Sequence, residues 1–165
     1  PLRPKLLPLP TTSEVLALQA VHDYPAISLL CTTDAGPSMS TATIARLEQL
    51  VDDATRRVRA EFGESVASSV RDDLLPLVDV VKGRPTRAAV ALYAASGHVS
   101  AWGLPQPVAD RAVVDPTFAT RDLVRALQGG IEGPRFAEWM ARFLELPRPE
   151  QPVQDKTASK SIAVT

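Results

Sequence analysis

The sequence predicts an α/β (α+β) domain, a small mixed β-sheet packed with a long amphipathic helix and several shorter helices. Three observations carry that expectation. Two nearly continuous apolar runs, AISLLCT at 26–32 and AAVALYAA at 88–95, have the length and content of strands covered on both faces. From Thr41 onward the apolar spacing changes to three and four, which is the period of a helix with one buried stripe. The two kinds of segment alternate, with glycine and proline between them, and laying helices on a sheet is the simplest way to bury both.

Residues 1–11 are proline-rich and read as a flexible N-terminal arm. Thr11 and Glu14 have capping-box spacing for a short helix over about residues 12–22. Pro25 then resets the backbone before the strand at 26–32, and TTDAGPSMS is a loop too polar for a core. Over 41–62, Ile44, Leu47, Val51, Ala54 and Val58 form one stripe, with Asp52–Arg56 and Asp53–Arg57 as expected charge pairs on the outside. Gly63 stops that helix. Val66, Val70, Leu74, Leu77 and Val81 repeat the pattern as far as Gly83, with Pro76 expected to kink or divide the segment.

A hairpin follows, in which Ser96-Gly97-His98 breaks the apolar run and Val99 to Leu104 forms the second strand. Arg111 to Val114 supplies another short strand, and Thr120 is placed to cap the helix RDLVRALQ, which stops at Gly129-Gly130. Pro134 opens a further short helix whose apolar face is Phe136, Trp139, Met140, Phe143 and Leu144. Residues 147–165 read as a flexible tail or linker, so a single domain is expected over 12–146. The pattern does not fix strand order, and the connection of about fifty residues after the first long strand is a candidate crossover.

Composition narrows the function classes. Eighteen basic and nineteen acidic residues give a formal net charge of -1, which argues against capture of nucleic acid by bulk charge and leaves only a local basic face for it. The single cysteine, Cys31, excludes an intrachain disulfide and reads as a buried, inert thiol. No apolar stretch reaches the roughly 20 residues that cross a bilayer. The opening PLRPKLLPLP has too many prolines for a signal peptide, so a cytoplasmic location and no membrane partner are expected.

No chemistry-bearing motif emerges. His98 and His22 lie in no metal or hydrolase pattern, and Ser96-Gly97 lacks the glycine frame of a nucleophile elbow. Asp52-Asp53 and Asp72-Asp73 are adjacent on helices and do not face each other. Gly129-Gly130-Ile131-Glu132-Gly133 follows a helix and lacks the lysine of a phosphate loop. No cofactor, metal or catalytic residue is therefore expected. Two sets remain as candidate contacts: Arg56, Arg57, Arg59, Arg84 and Arg87 for RNA or another partner, and Phe136, Trp139 and Phe143 for a protein.

The block ALYAASGHVSAWGLPQPVADRAVVDPTFATRDLVRAL resembles the N-terminal domain of bacterial relatives of the archaeal and eukaryotic peptide chain release factor family. The features that match are the strand Leu92 to Gly97, the strand ending Trp102 to Pro107, the valine-rich Arg111 to Val114, Phe118, and the helix Leu123 to Leu127. PAISLLCTTDAG and the long helix at 41–62 extend the resemblance to residues 12–128. It implies a binding role at the ribosome or ribosomal RNA, in release, rescue or hibernation. The family's Gly-Gly-Gln and Asn-Ile-Lys-Ser motifs are absent, since Gly129-Gly130 is followed by Ile131 and Thr157 to Ser161 reads TASKS. The chain is accordingly expected to be a fragment, or a reduced member that binds without catalysing release. The expected function is a non-enzymatic, translation-associated binding domain. The alternatives are a protein-interaction domain using the aromatic helix, and a small hydrolase in which His98 would meet Ser96 or a carboxylate.

Overall fold

A computed structural model of the chain describes residues 5–128. The candidate contacts Phe136, Trp139 and Phe143 and the segment 147–165 lie outside the described residues. The mixed α+β architecture is the one expected: β1 (Leu6–Leu7), α1 (Thr12–Gln19), β2 (His22–Thr32), α2 (Thr41–Phe62), α3 (Glu64–Lys82), β3 (Ala89–Ala95), β4 (His98–Leu104), β5 (Arg111–Thr117) and α4 (Arg121–Gln128). The strands form one sheet in the order β1-β4-β3-β2-β5. All neighbours are antiparallel except β1 and β4.

Alternation along the central strands divides the core in two. Ile27, Leu29 and Cys31 of β2, with Val90 and Leu92 of β3, face α2 and α3. Ala26 and Leu30, with Ala89, Ala91, Tyr93 and Ala95, face the other way, where Val15 and Leu18 of α1 and Leu123 and Ala126 of α4 complete the layer. All seven residues of β3 are buried, which is why its sequence is apolar without a wet face.

Four expectations are corrected. Two residues of the arm join the sheet: Leu6 and Leu7 pair in parallel with Ala101 and Trp102. Leu6 packs on the α2/α3 core and Leu7 on the opposite one, so both leucines of the dipeptide find apolar partners. The long helical connection is not a crossover, because β2 and β3 are adjacent and antiparallel, with Thr32 opposite Ala89. Gly36 and Thr86 close its base by exchanging two backbone hydrogen bonds of 3.2 Å. Pro76 does not divide the segment: it sits within a continuous α3 on its exposed side, at the cost of one backbone hydrogen bond. The expected i,i+4 charge pairs are replaced: Asp52 takes Arg71 of α3 at 2.9 Å, and Asp53 takes Arg56 one turn away.

Local chemistry accounts for the element ends. Thr11 Oγ1 accepts from Glu14 N–H at 3.2 Å while Glu14 Oε1 accepts from Thr11 N–H at 2.9 Å, the reciprocal capping box that starts α1. Ser40 Oγ accepts from Thr43 N–H at 3.2 Å and starts α2. Gly63 alone separates α2 from α3, with φ 91° and ψ 176°, a conformation that a residue with a Cβ adopts only under strain. Gly97, with φ 77°, turns the β3–β4 hairpin for the same reason.

Candidate functional site

A groove of about 470 Å³ runs along the β1 edge of the sheet. Three separate segments build it: Leu6 to Leu9, Pro85 to Arg87, and Gly103 with Pro105. β1 is only two residues long and has one neighbour, so its outer backbone groups face away from the sheet. The walls are leucine and proline, and the charge at the rim is positive. Arg87 lines the groove, Arg84 lies just before Pro85, and exposed Lys5 precedes Leu6. Among the described residues neither Arg84 nor Arg87 makes a salt bridge, whereas Lys82 nearby is paired with Asp79 at 3.0 Å.

The structure separates the five candidate arginines into two groups. Arg56 pairs with Asp53 and Arg59 with Glu64 across the Gly63 turn. Glu64 is held below the usual carboxylate range by that arginine. Arg57 Nη1 donates to the Ala112 carbonyl at 2.9 Å and ties α2 to β5. Arg59 and Arg57 thus tie α2 to α3 and to β5, Arg56 pairs within α2, and Arg84 and Arg87 remain at the groove. Sequence reasoning missed Leu6, Leu7 and Leu9 as groove walls. The signal was present in LLPLP, whose leucines are too many for a solvated arm.

His98 begins β4 opposite Ala95 and is half-buried. Its Nε2 lies 2.9 Å from Ser100 Oγ, which also accepts from Trp102 Nε1 at 3.0 Å, and its ring packs 5.3 Å from that of Phe118. Burial lowers the pKa of the ring, favouring the neutral form. The serine here is buried, its hydroxyl shared by the two rings, and it does not line the groove. The histidine therefore braces the hairpin against Phe118.

Cys31 is buried as expected, its thiol pushed up to about 11 chiefly by desolvation, which makes it a poor nucleophile at neutral pH. Other polar groups serve as internal locks. Asp110 Oδ1 accepts from Thr32 N–H at 2.8 Å and its other oxygen pairs with Arg46, whose second nitrogen donates to the Thr32 carbonyl at 2.9 Å. Arg111 pairs at 2.7 Å with Asp122, whose side chain is only 7% exposed. Thr120 immediately precedes α4: its carbonyl accepts from Val124 N–H at 3.0 Å, and its hydroxyl accepts from Gln19 Nε2 of α1 at 3.2 Å.

Among the described residues, no three or more His, Cys, Asp or Glu side chains are grouped to hold a metal ion, and no helix is long and apolar enough to cross a membrane. No family model matches the chain, and no curated protein matches it. That result corrects the translation, ribosome and release-factor vocabulary drawn from the strand pattern, which no match supports.

Proposed function

We propose that the chain is a non-enzymatic docking domain that holds an extended, acidic segment of a partner protein along the β1–β4 edge. The groove beside Leu6, Leu7 and Pro105, with Arg84 and Arg87 at its rim and in no salt bridge among the described residues, carries this reading. A short edge strand offers backbone groups to an added strand, leucine and proline walls accept alternate apolar side chains, and the positive rim selects acidic residues between them. Prolines on three sides keep the walls preformed, which lowers the ordering cost of binding. A cytoplasmic setting goes with this reading and suits the reduced, buried Cys31.

Fluorescence anisotropy on the full chain tests it with three labelled probes: a peptide of alternating leucine and glutamate, its leucine and lysine counterpart, and a single-stranded RNA of equal charge. The acidic peptide should bind ahead of both others, and Arg87→Glu should weaken it about tenfold or more. Tighter binding of the RNA, or unchanged peptide binding by the variant, would overturn the proposal. Because Arg87 is exposed and makes no salt bridge among the described residues, its substitution should leave the melting temperature unchanged.

A further inference from the structure

At the far end of the sheet from the groove, a second cavity of about 290 Å³ opens where the start of β2, the α2–α3 turn and the end of β3 converge. Its two aromatic walls are Tyr24 and Phe62, whose ring centroids lie 4.9 Å apart at 89°. Tyr24 is 46% exposed, one of two large hydrophobic side chains so exposed among the described residues. Its position is fixed, since the hydroxyl donates to Glu61 Oε1 at 2.8 Å. Two carboxylates, Asp23 and Asp73, line the same cavity, and neither makes a salt bridge among the described residues. Val70 lies on the apolar side, in the main core.

The surrounding charges have one sign. The groups that act on Tyr24 are Glu61 and Asp115, both of which raise its pKa. The pKa of Asp73 is raised first by burial and then by Asp72, with no cation offsetting either. The guanidinium groups of the adjoining helices are engaged elsewhere: Arg56 with Asp53, Arg59 with Glu64 and Arg71 with Asp52. A carboxylate cluster alone would be a solvated acidic surface. Here it adjoins a fixed aromatic corner and a partly enclosed apolar wall, a combination that suits a cation carrying a hydrocarbon stem.

We infer that the Tyr24–Phe62–Asp73 cavity binds a small organic cation, an ammonium or guanidinium on a short aliphatic chain. The charged head sits between Asp73 and Asp23 and against the Tyr24 ring, and the stem lies toward Val70. This site is independent of the docking groove, which lies at the opposite end of the sheet and has the opposite charge.

Amide NMR titration of the full chain with n-butylguanidinium, n-butylammonium and neutral n-butanol tests it. The two cations should shift the resonances of residues 23–25, 69–73 and 94–96, and the alcohol should not. Asp73→Asn keeps the side-chain shape and should weaken the cations about tenfold, and Tyr24→Leu should weaken them to a similar extent. Arg87→Glu should leave cation binding unchanged, which separates this result from the fate of the groove. Equal shifts from n-butanol, unchanged affinity in Asp73→Asn, or shifts spread over the acidic surface instead of the cavity would each overturn the inference. If Tyr24→Leu unfolds, the isosteric Asp73→Asn variant still decides.

Discussion

The two faces of the sheet are held by different physics. Toward α2 and α3 the core is aliphatic: Ile27, Leu29, Val90 and Leu92 meet Leu47, Val51, Leu74 and Leu77, and burial of hydrocarbon supplies the adhesion. Toward α1 and α4 the strand residues include four alanines, and the gaps are filled by Tyr93, Trp102 and Phe118, with the polar atoms of the first two aimed at partners. Tyr93 donates to the Ala119 carbonyl at 2.8 Å, Ser28 Oγ accepts from Ala119 N–H at 2.9 Å, and Ser100 takes Trp102 and His98. The first face tolerates changes of shape at constant volume, whereas the second depends on individual hydrogen bonds. Long helices fit the first because a continuous stripe needs a continuous partner. On the second, two eight-residue helices leave more of the adhesion to directed bonds.

The largest effect expected from this contrast is at Leu74, which is fully buried on the sheet-facing side of α3. Leu74→Ala should lose about 2–5 kcal/mol in urea unfolding, while Leu74→Met should lose less than about 1.5 kcal/mol. If the two substitutions cost the same, the aliphatic face is not held by volume. On the opposite face Ser28→Ala removes almost no hydrocarbon but strands the Ala119 N–H, and a loss of about 1–3 kcal/mol should follow. A neutral result there would erase the distinction between the faces. Thr33 sharpens it from the other direction. Its hydroxyl is the one buried side-chain oxygen without a partner among the described residues, so Thr33→Val should be neutral or raise stability by up to about 1 kcal/mol.

The smallest expected effect is a pH dependence at His98. Burial lowers its folded pKa from the ordinary 6.5, so the unfolded chain takes up a proton that the folded chain resists. The stabilisation is complete above about pH 6.5 and is lost as the pH falls through the lowered value. His98→Gln should flatten the decline in melting temperature between about pH 6.5 and 5 by about 1–3 °C. An identical decline in both proteins would show that the histidine is solvated in the fold.

Much of this architecture was legible because burial imposes a period. The stripe from Ile44 to Val58, the unbroken run of β3 and the Thr11–Glu14 box each state their structure locally. What was illegible depends on pairing across distance. Nothing in LL at 6–7 says that it joins Ala101 and Trp102, and nothing near Arg57 announces the Ala112 carbonyl as its partner. The candidate sites belong to this second kind. Arg87 was identifiable as an arginine near a turn, but the groove requires segments some 80 and 95 positions apart to meet. Tyr24 and Phe62 attracted no attention because each, read alone, is a single aromatic residue.

The closed base at Gly36 and Thr86 has a consequence for how the molecule assembles. β2 and β3 make the central pairing of the sheet, yet Thr32 and Ala89 are separated by the whole α2–α3 hairpin. An open chain would have to close that long loop before any ladder contact rewarded it. A helical hairpin formed first brings its own ends together and shortens the effective search. The expected route is therefore nucleation on the α2–α3 seam, followed by zippering of β2 onto β3. Ala54→Gly and Ala67→Gly should slow refolding, whereas Val113→Ala on the edge strand β5 should mainly speed unfolding. Stopped-flow chevrons distinguish the two, and a refolding rate insensitive to the helical pair would place the nucleus elsewhere.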